Sequence, residues 1–372
     1  MKNSILFFSL LLLLSFGSCK QSNKTNEKKV INRTTLFDAS MQEGISCYRI
    51  PSIVTAPNGD LVAAIDERVP SCGDLKYSKD INIVLRRSSD NGMTWTSIER
   101  VVDFPYGQSA SDPSMIVDQV TGEIFLFYNY MDLENEKDVY YLHYVKSNDN
   151  GHTWSKSVDI TDQIAKPEWK NDFKFITSGR GTQTREGILL HTMVNLNNGL
   201  HVFGSKDHGQ SWFMIDKAIK PGNESKIIEL SDGKWMINCR ANKKEMRYSH
   251  VSSDQGLSWT TKAETSLSDP GCNGCIINYT SKKDKYKKNR LLFCNANDSK
   301  KRMNLTIRIS YDNGQTWSNG KVIYSGSSAY SSMTILNNGN IAIFYEKDNC
   351  SKNEVAIFSL DWLTNGKDSL NL

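Results

Sequence analysis

The frame S-x-D-x-G-x-[ST]-W occurs five times: SSDNGMTW from Ser88, SNDNGHTW from Ser147, SKDHGQSW from Ser205, SSDQGLSW from Ser252 and SYDNGQTW from Ser310. Its aspartates Asp90, Asp149, Asp207, Asp254 and Asp312 lie 59, 58, 47 and 58 residues apart. Repetition at such a period means stacked supersecondary units. About 340 residues at about 58 per unit give roughly six units. Within a unit the pattern is β. IVLRRSSDNGMTWT and YYLHYVKSNDNGHTWS run β-branched and aromatic residues into a turn, and EIFLFYNY and NIAIFYEK are short apolar runs. APNGDLVAAI, LSDGKWMINC and LNNGNIAIFY carry NG or DG turns between strands. No stretch sustains a helical period, and Pro167-Glu168-Trp169 starts a short turn of helix at most. The Gly of each frame suits the positive φ of a tight turn, the Asp accepts from the turn backbone, and the Trp packs as an apolar anchor. An active site needs one constellation, so five regular copies are hairpin staples.

The chain opens MKNSILFFSLLLLLSFGSCK. A charged start, an apolar run from Ile5 to Phe16 too short to span a bilayer, and the small pair Gly17-Ser18 lead to Cys19. This resembles a bacterial lipoprotein signal, with residues 1–18 removed and Cys19 lipidated; the alternative is an ordinary secretory signal with a chance Cys. The protein is then expected to be exported, to the periplasm or the outer membrane. Residues 19–30 are polar and charged and read as a flexible tether. Residues 31–372 form the folded unit. The formal charge of +4 suits an anionic substrate, and no basic run with interleaved aromatics suggests nucleic acid. Cys19 aside, seven cysteines remain, so an exported chain keeps at least one free thiol. CNGC at 272–275 lacks the second pair that zinc requires, and reads as a disulfide or two buried thiols.

The repeated frame resembles the Asp box of the sialidases, and the resemblance covers almost the whole chain after the tether. It implies an all-β fold, a six-bladed β-propeller closed by pairing a strand near TTLFDAS with the last strands near EVAIFSLDWL. Sialic acid carries a carboxylate on its anomeric carbon, so a carboxylate nucleophile would be repelled. Sialidases accordingly depart from the two-carboxylate scheme and use a tyrosine. Such a site needs fixed cations, a neutral nucleophile with a base, and an acid for the leaving oxygen.

Arginine stays charged and offers a planar fork to a carboxylate. YRIP at 48–51 matches the family motif and puts Arg49 first in an arginine triad. WMINCRAN resembles the strand of the second member, Arg240, and KKRMNLTIRIS gives the third, Arg302. Arg68 follows in AIDERVPSCGD, where the family binds near the N-acyl side. Tyr330 in SGSSAYSSM resembles the family nucleophile. A free phenol is weak at neutral pH and needs a base. Glu224, sixteen residues before Arg240, fills that role, with Glu229 the solvated alternative. Asp74, six residues after Arg68, is the expected acid, while Asp80 leads into a strand and suits capping. Glu346 in IFYEKDN resembles the glutamate that orients the first arginine. Asp112 falls where the family lines the N-acetyl pocket, and SGRGTQTREG at 178–187 is expected to border the aglycone. The resemblance implies a retaining exo-α-sialidase acting on sialylated glycans, with no metal or organic cofactor and membrane contact only through a lipid anchor. The rival reading is a non-catalytic Asp-box propeller that binds glycans or proteins. A trans-sialidase would differ only in keeping water from the intermediate.

Overall fold

The computed structural model describes residue 1, residues 31–241 and residues 245–370. Residues 2–30, which include Cys19 and the whole of the tether, lie outside the described residues. The described chain is almost wholly β, with short helices at Thr161–Ile164, Pro167–Trp169, Lys282–Asp284 and Leu360–Thr364 among the exceptions.

The strands form antiparallel sheets in chain order. Cys47–Thr55, Leu61–Arg68, Ile81–Ser88 and Glu99–Val102 make the first. Gln108–Val117, Ile124–Asp132, Tyr141–Ser147 and Val158–Asp159 make the second, with Gly179–Arg180 added parallel to its first strand. The third is built on Leu189–Asn195 and Gly199–Ser205, and the fourth on Ser225–Glu229, Trp235–Arg240, Met246–Ser252 and Thr260–Ser268. The last has seven strands, because the long strand Lys321–Ile335 serves two neighbours. Its first half pairs with Met303–Ser310 and its second half with Ile341–Lys347. Asn32–Asp38 pairs antiparallel with Lys352–Phe358, so the start of the described chain is locked to its end as expected.

Apolar residues are buried between consecutive sheets rather than in one central core. Val62, Ile83 and Leu85 of the first sheet meet Met115, Leu126 and Val145 of the second. Leu36, Phe344 and Val355 of the last sheet meet Ile53, Ile65 and Val84 of the first. The repeated turns reinforce this order. In each, the Asp accepts the backbone N–H and the hydroxyl of the Ser or Thr four residues on, as Asp90 does from Thr94 at 2.9 and 2.6 Å. The Gly takes a positive φ, +85° at Gly92, and sits against the preceding sheet. A Cβ at Gly209 would overlap Phe125 of the second sheet, and one at Gly92 would overlap Ile357 of the last. The frames therefore staple turns and seat sheet on sheet, with the first seated on the last.

Candidate active site

Three of the strands that begin a sheet or join two of them break register where they meet the site. The shifts fall between Arg49 and Ser52, Ser111 and Ser114, and Ser328 and Ser331. A bulge re-aims side chains out of the ladder alternation. Here the bulges carry Arg49, Asp112 and Tyr330. Ile50 and Asp112 hold φ of +67° and +65°, a strained backbone for the β-branched Ile50 above all. Each precedes a proline, Pro51 or Pro113. What holds Ile50 there is Glu346, fully buried, whose Oε1 accepts the Ile50 N–H at 2.8 Å. The same carboxylate accepts Arg49 Nε at 2.7 Å and the Tyr330 backbone N–H at 3.0 Å. Burial works against its charge, but Arg49 and these donors hold Glu346 below the usual carboxylate range.

Arg49, Asp74, Asp112, Glu224, Arg240, Arg302 and Tyr330 line one cavity of about 450 Å³. Tyr330 Oη donates to Glu224 Oε2 at 2.7 Å. Arg240 Nη1 lies 2.6 Å from the same carboxylate oxygen and donates to Tyr330 Oη at 3.2 Å. The carbonyl of Gly271 accepts from Arg240 Nη1 at 3.0 Å and Arg302 Nη2 at 3.1 Å, fixing the two guanidiniums relative to each other. Arg49 and Arg302 flank the Tyr330 ring at 6.0 and 5.4 Å from its centroid. Arg302 is exposed and has no carboxylate within ion-pair distance among the described residues. Burial, reinforced by the Glu224 charge, raises the Tyr330 pKa well above the ordinary phenol, although Arg240 and Arg302 oppose this. The phenol is thus protonated, and its proton points at Glu224.

Asp74 stands on the loop after Leu61–Arg68, its side chain 78% exposed, at the cavity mouth. The Cys47–Cys72 disulfide ties that loop to the start of the strand carrying Arg49. Arg68 is not among the groups that line the cavity. It is buried, with Nε and Nη2 on Asp66 Oδ2 at 3.2 and 2.9 Å. Its Nη1 donates to the carbonyls of Cys72 and Gly73 and to Asp74 Oδ1 at 3.0, 3.1 and 2.9 Å. Its fork is occupied in holding the loop that carries Asp74. Asp112 is raised well above the ordinary carboxyl by burial, then by the charges of Asp66 and Glu224. Its Oδ2 accepts Asn129 Nδ2 at 3.1 Å.

Other expectations resolve by position. Glu229 accepts the Arg185 backbone N–H at 2.8 Å and lines a different cavity of about 320 Å³. Asp80 accepts Asn82 Nδ2 at 3.1 Å, a local role. The segment 178–187 does not border the site. Arg180, Gly181, Thr182, Gln183 and Arg185 face that second cavity, because Gly179–Arg180 runs parallel to Gln108–Val117 past the bulge. Cys272 and Cys275 are two buried thiols and not a disulfide. The sequence reading missed the apolar wall of the site, where Tyr140 stacks on Phe173 at 4.6 Å beside Phe175 and Leu196. These residues come from loops and edge strands with no shared motif. It also missed Gly271, which acts through its carbonyl.

Residues 59–343 match the model of the BNR repeat-like domain. A sialidase of Micromonospora viridifaciens is 34% identical over 352 residues, 87% of this chain and 53% of the relative. A sialidase of Bacteroides fragilis is 29% identical over 330 residues, 81% of this chain and 60% of the relative. The chain thus spans between half and two thirds of the length of these relatives. The structure of a Hadza microbial sialidase superposes with a TM-score of 0.80 at 26% identity, covering 89% of this chain and 69% of that one. The chain belongs to the BNR repeat-like domain family, and these relatives, alike over most of its length, are sialidases.

Proposed function

We propose that the protein is a retaining exo-α-sialidase that removes terminal α-linked sialic acids from glycoproteins, glycolipids or oligosaccharides. The observation that carries the reading is the Tyr330–Glu224 hydrogen bond, 2.7 Å long, within a cavity lined by three arginines. Nucleophile, base and carboxylate clamp are assembled in the order that an anionic anomeric centre demands. Arg49, Arg240 and Arg302 take the substrate carboxylate. The Tyr330 oxygen then bonds to the anomeric carbon as the bond to the leaving oxygen breaks. The phenolic proton passes to Glu224, and Asp74 supplies a proton to the departing alcohol. Water next attacks the glycosyl-tyrosine. Asp74 takes its proton, and Tyr330 leaves with the proton returned by Glu224, so configuration is retained. Arg240, touching both Tyr330 and Glu224, favours negative charge on the phenolic oxygen as its proton moves.

The scaffold in this reading is a six-bladed propeller. Lys321–Ile335 joins two four-stranded units in the seven-stranded sheet, and the first frame is seated on the last sheet. The protein is exported and held by a lipid on Cys19. No feature of the cavity favours the non-catalytic rival. The test is hydrolysis of a fluorogenic α-sialoside, with the product anomer followed by NMR. Release of the α-anomer is expected, and Tyr330→Phe should cut turnover by about 10³-fold or more with the fold kept. Wild-type protein that leaves the sialoside intact would favour the binding module.

A further inference from the structure

At the strand ends remote from the catalytic cavity lies a groove of about 780 Å³ whose wall carries Lys282, Lys287, Lys288, Lys321 and Lys367 and no carboxylate. Arg302 precedes the site end of Met303–Ser310, and Ile309 and Tyr311 at its other end line the groove. At about 3.3 Å per residue the two ends are some 25 Å apart. Three nearby acids have partners, one of them a groove lysine. Asp284 faces Arg185, Asp312 is bound within its own turn, and Asp368 binds Arg290 and Lys288. Lys282, Lys287 and Lys367 are exposed and have no carboxylate within ion-pair distance among the described residues. Three of the five groove lysines come from one run, SKKDKYKK at 281–288, which the mild net charge of the whole chain conceals.

The chain enters the fold beside this groove. Asn32 pairs with Ile357, whereas Asn353, nearer the site, pairs with Glu346. The first described strand therefore begins at the remote end. Ile31 packs on the cluster containing Leu360 and Leu363, and Leu363 also lines the groove. The described fold therefore begins on this face, with the cavity turned away from it.

We propose that this lysine groove docks the protein on a membrane surface of anionic phospholipid headgroups, leaving the catalytic cavity facing outward. Clustered lysines next to a chain segment leading to an apolar run are the arrangement that anionic headgroups attract, and salt screens it. A surface contact of this kind fixes the orientation of the folded unit.

The test uses the full chain and compares co-sedimentation with vesicles of phosphatidylglycerol and phosphatidylcholine against pure phosphatidylcholine. Any contribution of the N-terminal segment is common to all variants, so the anionic-to-neutral ratio is the readout. Wild type should show a ratio of at least about tenfold at low salt, collapsing at high salt. The combined Lys282→Glu, Lys287→Glu and Lys367→Glu variant should bring the ratio near one, and the corresponding Gln variant should lie between. Cleavage of a soluble aryl sialoside should be unchanged in both. An unchanged ratio in the folded variants, or equal binding to neutral vesicles, overturns the proposal. So does wild type that binds a soluble sulfated polysaccharide but not anionic vesicles. The ratio is read without catalysis, so its failure is separate from any failure of the sialidase reading.

Discussion

Glu346 is fully buried and does not line the cavity. One buried carboxylate fixes the Arg49 side chain, the strained Ile50 backbone and the Tyr330 backbone. Its removal would leave Arg49 with a fork but no orientation. Glu346→Gln keeps the shape and loses the charge. We expect kcat/KM to fall by about 10²-fold, the cost of a slight misplacement of reacting groups. The loss should appear in KM as well as kcat if Arg49 takes the substrate carboxylate as proposed. A variant that changes only thermal stability would reduce Glu346 to a core ion pair. Much of this site was legible from sequence, because Arg49, Tyr330 and Glu346 sit in short motifs that survive as local strings. Arg68 was legible as a position but not as a role. Only the folded loop shows that Asp66, Asp74 and two carbonyls occupy its guanidinium. The Tyr140–Phe173 wall was not legible, because stacking between separate loops leaves no periodic trace.

The five turns are the element on which the fold rests. Their Ser or Thr hydroxyls, then the backbone N–H of the same residues, lower Asp90, Asp149, Asp207 and Asp254 to about 2. A carboxylate depressed in the fold stabilises it above its unfolded pKa of about 4. That contribution is lost as pH falls from about 4 through about 2. Melting temperature should therefore drop across that window, and less steeply in Asp90→Asn. At neutral pH, Asp312→Ala should cost about 1 kcal/mol, the scale of a lost cap. For a chain of this size that is roughly 2 °C. Its sialoside kinetics should match wild type, and selective loss of turnover at unchanged melting temperature would contradict the staple role. The repeat made these elements readable in advance, including the pairing of the first described strand with Lys352–Phe358. The placement of 178–187 was not readable. A two-residue parallel pairing, Gly179 with Ser114 and Arg180 with Met115, has no hydrophobic period to announce it.

At the scale of the molecule, separate apolar clusters between neighbouring sheets leave the strand ends free for function. One end gathers the arginines and Tyr330, and the other carries the lysine groove and the entry of the chain. The lipid proposed on Cys19 is tested separately. Cys19→Ala should move the protein from the membrane to the soluble fraction and remove the lipid mass. Unchanged fractionation, with no lipid on the wild type, would contradict the anchor. The central claim is that Tyr330 becomes glycosylated during turnover, and a fluorinated sialoside that slows breakdown of the intermediate addresses it directly. After digestion and mass spectrometry, the sugar mass is expected on the peptide containing Tyr330, and absent in Tyr330→Phe. A label on Asp74 or Glu224, or inhibition with no labelled peptide, would contradict the account even if the protein cleaves sialosides.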